Sequence, residues 1–275
     1  MAICSLLGVD TCKMARPYET GGSPDPMKRS VRTIFTGFAV AMACASSAFA
    51  EPPPRPIASF DTAKKIARDT IYVDRRIDLY CGCKFEPTGA SGGRIDATEC
   101  GYQARSNAAR GERIEWEHVM PAWFFGHSLA CWSHGHDRCV KSDGAAFKGR
   151  ECCVKVSPKF RKIEADLHNL APAVGELNGD RSNLPFGQVA GAPRQYGACN
   201  FEIGGSPRVT EPPDNVRGDA ARIWFYMSET YGVRLSPAMA DLLRQWSEDD
   251  PVDDWERTRN ERVFDAQGNR NPFVQ

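Results

Sequence analysis

Eight of the chain's 11 cysteines fall between residues 81 and 199. They are Cys81, Cys83, Cys100, Cys131, Cys139, Cys152, Cys153 and Cys199. An even set of this kind in an exported chain reads as a disulfide framework that pins loops to a modest core. Spacing alone fixes no pairing among eight. The other three, Cys4, Cys12 and Cys44, lie in an N-terminal segment that reads as a targeting signal. There Met27-Lys28-Arg29-Ser30 is a short positive stretch, Ile34 to Met42 is largely apolar, and Ala48-Phe49-Ala50 has the small-x-small form of a signal peptidase site. Residues 1–26 are therefore expected to be an upstream extension, 27–50 a signal peptide, and 51–275 the mature protein, periplasmic or secreted. The apolar run is too short to anchor stably in a membrane.

Composition is ordinary for a soluble globular protein, with 41% hydrophobic and 25% charged residues. The formal net charge is zero, and residues 51–275 hold 30 basic against 32 acidic side chains. No global positive field advertises nucleic acid, so such a function must rest on local cationic groups.

Ser59 is a plausible N-cap for a helix reaching about Val73, with Phe60, Ala63, Ile66, Ala67 and Ile71 as its apolar stripe. Tyr80 to Gly101, rich in Cys and Gly, reads as pinned loop. Arg113 to His118 alternates and suits a strand. Pro121 to Phe125 suits a short turn or helix, and residues 132–152 form a polar excursion. A second strand is expected over His168 to Ala171, with Pro172 opening a helix through Leu177 and Asn178, which Gly175 and Gly179 weaken. Further helices are expected from Asp214 to Tyr231 and after Ser236-Pro237. The charged tail from Asp249 reads as a solvated face. No linker divides the chain, so one mixed α+β domain is the simplest architecture.

All five histidines lie between His118 and His168. The string Glu115-Trp116-Glu117-His118 places an imidazole beside a carboxylate. Phosphodiester hydrolysis needs a base to activate water and a cation to neutralise charge on the departing oxygen. Mg²⁺ takes oxygen ligands and needs only one or two from the protein. Glu117 can supply one, and Asn169, Asn178 and Asn183 offer an amide oxygen. On a strand, neighbouring side chains oppose each other, so Glu117 and His118 share a site only if the strand ends there, as Pro121 suggests. No His-Glu-x-x-His is present, so a zinc protease site of that type is unsupported. His127, His134 and His136 with the nearby cysteines fit zinc spacing loosely, whereas an oxidising compartment favours disulfides. Rival readings are a silent nucleic-acid binder, a disulfide-rich structural protein and a zinc hydrolase.

The string Arg113-Ile114-Glu115-Trp116-Glu117-His118-Val119 resembles the active-site strand of the bacterial endonuclease I family, exported nucleases of the ββα-metal (His-Me finger) class. The likeness continues through Pro121-Ala122-Trp123, Gly126-His127 and Cys131-Trp132. It resumes at Glu164-Ala165-Asp166-Leu167-His168-Asn169-Leu170 and at Gly175-Glu176-Leu177-Asn178-Gly179-Asp180-Arg181-Ser182-Asn183. Tyr80-Cys81-Gly82-Cys83, Cys100-Gly101-Tyr102, Gln195 to Cys199 and the ending Asn271-Pro272-Phe273 are similar too.

The resemblance implies a single, mainly helical α+β domain built on a strand–loop–strand–helix motif and cross-linked by disulfides. It implies His118 as general base and Mg²⁺ held by Glu117 and Asn178, with Ca²⁺ or Mn²⁺ as substitutes. It further implies a monomer with no membrane partner that cuts double- and single-stranded DNA, and RNA as well, leaving 5′-phosphate ends. Glu164 is a candidate to orient the base, and His168 and Asn169 are expected to brace the second strand. The family's phosphate-gripping arginine stands three residues before a cysteine. That role passes to Arg150, three before Cys153, with Arg138 as its competitor because the stretch carries an insertion. Cys139 and Cys152 flank the insertion and are expected to bridge it. Trp116, Trp123, Trp132 and Trp224 are expected in the core, although Trp123 or Phe124 is also placed to meet a sugar or base.

Overall fold

The computed structural model describes residues 55–191 and 193–275. The expected upstream extension and signal peptide lie outside the described residues. Helix α1 (Phe60–Ile66) opens as the sequence predicts, with the Ser59 hydroxyl accepting from Thr62 N at 3.2 Å. It runs on through one wider turn, Ala67–Ile71. The stretch read as pinned loop holds an antiparallel hairpin, β1 (Phe85–Thr88) with β2 (Gly92–Ile95). Gly93 lets that hairpin close, because a Cβ there would come within 2.5 Å of the Phe85 ring. The Cys83–Cys100 and Cys81–Cys199 disulfides tie its base to the rest of the chain.

Short helices α2 (Ala97–Cys100) and α3 (Ala108–Gly111) lead into β3 (Ile114–His118). Next come α4 (Ala122–Gly126), α5 (Ala130–Ser133), α6 (Arg150–Val156) and α7 (Pro158–Glu164). Cys131–Cys153 joins α5 to α6, and Cys139–Cys152 closes the excursion between them, as expected. Strand β4 (Leu170–Val174) pairs antiparallel with β3, His118 opposite Leu170 and Ile114 opposite Val174. Pro172 is therefore in a strand, opposite Trp116, and not at a helix start. Its carbonyl accepts from Leu79 N at 2.7 Å on the side away from β3. A residue's N–H and C=O point to the same strand edge, so the missing N–H costs no ladder bond. Helix α8 (Gly175–Arg181) follows directly.

Strands β5 (Glu202–Gly204) and β6 (Val209–Glu211) make a third antiparallel pair among the described residues. Helix α9 (Arg217–Tyr231) ends at Gly232, φ 69°, and α10 (Pro237–Asp249) is capped by Ser236. The charged tail departs from its expectation. It forms α11 (Asp254–Gln267), which buries Glu256, Arg259, Asn260, Val263 and Gln267. Arg259 donates to the carbonyls of Leu167, His168 and Leu170 at 2.9–3.0 Å, so α11 props the segment that feeds β4. The described residues form one compact α+β unit around a continuous core that includes Phe160, Leu177, Trp224 and Trp246. Among them no helix is long and apolar enough to cross a membrane.

Candidate active site

His118 is the last residue of β3, and the chain departs from the ladder just beyond it. Val119 N bonds Asn169 O at 3.0 Å, while Met120 N and O are held by the Asn169 side chain at 2.7 and 3.0 Å. Asn169 thus braces the strand end, and His168 bonds the Asn269 carbonyl at 2.9 Å. The His118 ring lies 4.7 Å from the Phe60 ring and is almost wholly buried. Its Nε2 stands 2.8 Å from the carbonyl oxygen of Glu164. A carbonyl only accepts, so Nε2 carries the hydrogen and Nδ1 carries the lone pair. Burial first, and then the Arg150 charge, push the imidazole down to about 3.

Glu117 is also buried. Its Oε1 accepts from Tyr80 Oη at 3.2 Å and from Arg181 Nη1. Burial pushes its carboxyl above the usual range, against the opposing pull of Arg181 and Tyr80. Arg181 also donates to the carbonyls of His118 and Val119 at 3.0 and 2.7 Å. Neither Arg181 nor Tyr80 is among the site residues expected from the sequence. A signal existed for Arg181: it stands one helical turn after buried Leu177, on the inner face of α8.

Asn178 lies on α8 and its amide nitrogen donates to Glu115 Oε2 at 3.0 Å. Arg150, at the start of α6, directs Nε to Glu164 Oε1 at 2.6 Å and leaves its side chain 43% exposed. His118, Glu117, Asn178 and Arg150 all line one cleft of about 790 Å³, with Lys64, Arg110 and Glu115. Arg138 is exposed and does not line it. Trp123 departs from its expected core position: it is 38% exposed on the cleft and stacks on His127 at 4.0 Å.

The zinc reading finds no thiolates, because Cys131, Cys139, Cys152 and Cys153 are all in disulfides. Asp78 sits beside Cys81 and Cys83, but those cysteines are also bridged, and the carboxylate accepts their backbone N–H groups and that of Tyr80. The cleft offers a different donor set. Glu117 Oε2 and Asn178 Oδ1 have no hydrogen-bond partner among the described residues. A carboxylate oxygen and an amide oxygen are hard ligands of the kind Mg²⁺ accepts while keeping several waters.

The family described as Endonuclease I matches residues 59–275. The chain is 42% identical over 214 residues to an extracellular deoxyribonuclease of Aeromonas hydrophila, spanning 78% of this chain and 88% of that one. It is 41% identical over 217 residues to a periplasmic deoxyribonuclease of the same species, spanning 78% and 85%. An extracellular ribonuclease of Bacillus subtilis (strain 168) is 35% identical over 127 residues, 40% of this chain and 43% of that one. Matches of this extent, with four disulfides among the described residues, define a periplasmic or secreted nuclease. The chain belongs to the endonuclease I family.

Proposed function

We propose that the protein is a non-specific, Mg²⁺-dependent endonuclease that hydrolyses DNA, and RNA as well, to 5′-phosphate ends, acting as a monomer. The observation that carries this reading is the His118 ring, locked through Nε2 onto the Glu164 carbonyl in the wall of a cleft that Lys64, Arg110 and Arg150 also line. That lock leaves Nδ1 as the base. Nδ1 takes a proton from water, the resulting hydroxide attacks phosphorus, and the bond to the 3′ oxygen breaks. A second water protonates the departing oxygen. Arg150 keeps its terminal nitrogens for the phosphate oxygens, a grip that suits a guanidinium. Glu117 and Asn178 would hold Mg²⁺, which supplies positive charge against the negative charge building on the 3′ oxygen.

The order β3, β4, α8, with His118 ending the first strand and Asn178 on the helix, supports the ββα-metal reading. The names of the Aeromonas relatives support DNA as substrate, and that of the Bacillus relative supports RNA. Contacts to the backbone and not to base edges account for low sequence preference and for weakening by salt. Digestion of plasmid and of RNA by the oxidised protein, with Mg²⁺ and with EDTA, tests the proposal. Cleavage of both only with Mg²⁺ is expected; undiminished cleavage in EDTA would refute the metal assignment.

A further inference from the structure

Glu115 precedes the Glu117-His118 pair by one strand repeat and has no assigned part in the chemistry. Its carboxylate is nonetheless the most heavily hydrogen-bonded group in the cleft. Arg110 grips it through Nε and Nη2 at 2.7 and 2.6 Å, Arg113 adds a bond at 2.9 Å, and Asn178 Nδ2 adds another at 3.0 Å. A carboxylate held by guanidinium groups accepts hydrogen bonds and donates none. It therefore discriminates between the two ends of the Asn178 amide. Nδ2 is drawn to Glu115, and Oδ1 is turned the other way. With the opposite rotamer, two oxygens would face each other with no proton between them.

The backbone is shaped for this contact. A Cβ at Gly175 would stand 3.0 Å from Glu115 Oε1 and 2.6 Å from the Arg110 carbonyl. A Cβ at Gly179 would meet Arg110 Nη1 at 2.0 Å. Both glycines flank Asn178 on α8, so the helix can press against the Arg110–Glu115 pair only because they lack side chains.

We propose that Glu115 is a positioning residue that fixes the Asn178 amide with Oδ1 free for a divalent cation. The proposal rests on Asn178 being a metal ligand, as in the function proposed above. Outer partners of metal ligands are worth about 10- to 100-fold in metal affinity.

The test is Mn²⁺ binding to the oxidised protein without nucleic acid, read by electron paramagnetic resonance of the free ion, for Glu115→Ala, Glu115→Gln, Asn178→Ala and the Glu115→Ala/Asn178→Ala double variant. Circular dichroism selects the folded variants. Glu115→Ala is expected to weaken Mn²⁺ by about 10- to 100-fold. Glu115→Gln, which keeps one acceptor for the amide, should recover part of that loss. The double variant should bind no worse than Asn178→Ala alone, because Glu115 acts through Asn178. Additive losses, or unchanged binding in Glu115→Ala while Asn178→Ala fails, would overturn the positioning role. Unchanged binding in Asn178→Ala would instead overturn the ligand assignment beneath it. If neither single Ala variant folds, Glu115→Gln decides: measurably weaker Mn²⁺ binding than in the parent upholds the role, and binding equal to that of the parent overturns it.

Discussion

Arg181 lies wholly buried behind Glu117 and donates to that carboxylate's Oε1. The same guanidinium holds the carbonyls of His118 and Val119 and lies 4.5 Å from the Phe186 ring centre. One side chain therefore fixes the Glu117 carboxylate and the backbone that carries His118. Replacing Arg181 by Met would strand a buried carboxylate without its counter-charge. A loss of about 3–5 kcal/mol is expected. Urea unfolding of the oxidised protein in EDTA measures it, and a change within error of zero would remove this role.

Two buried histidines tie stability to pH. Burial, with the Arg150 charge second, holds His118 down to about 3. Burial holds His168 down to about 4, against the pull of Asp166. Both stay neutral in the fold, whereas the unfolded chain takes up protons below about pH 6.5. Stability should therefore fall as pH drops from about 6.5 towards the folded values. Each group contributes at most about 1.4 kcal/mol per pH unit. Urea midpoints at pH 7, 6 and 5 should decline, with a shallower decline in His168→Gln. Equal slopes in the two proteins would contradict the assignment for His168.

Cys139–Cys152 closes the excursion just ahead of the helix that begins at Arg150. A loop of this size is worth about 3 kcal/mol when bridged. The Cys139→Ser/Cys152→Ser variant should lose about that much. It should also show a raised KM for DNA, because Arg150 stands two residues from the lost link. A raised KM with no loss of stability would mean the bridge acts only locally.

Arg150 and Arg138 compete in the sequence, and only Arg150 lines the cleft. Arg150→Ala should cut kcat/KM for plasmid cleavage by about 10-fold or more, the scale of a lost charge-assisted bond of about 1.5–3 kcal/mol. Arg138→Ala should leave it near the parent value. The reverse ranking would move the phosphate contact into the excursion.

The strand ending at His118 is legible because alternation and the local motif agree there, whereas the helix carrying Asn178 is legible in type and not in its start. Gly175 and Gly179 weaken the helix signal of α8 because they lower helix propensity, yet they are present for close approach to Glu115 and Arg110. Pro172 misplaces the start of that helix, because its carbonyl bond to Leu79 marks an outer strand edge that only the fold reveals. The polar tail concealed α11 most fully. Its buried positions include Glu256, paired with Arg222, and Arg259, bonded to three carbonyls, so apolar periodicity carries no trace of them. Trp123 looked like core by residue type, but nothing in a sequence reports exposure.

The most direct test of the central claim is the rate constant for plasmid cleavage at saturating Mg²⁺ by His118→Ala, in a preparation whose circular dichroism and Mn²⁺ affinity match the parent. Loss of a general base predicts a fall of about 100- to 10,000-fold. A rate equal to that of the parent protein would contradict the assignment of His118 as the base.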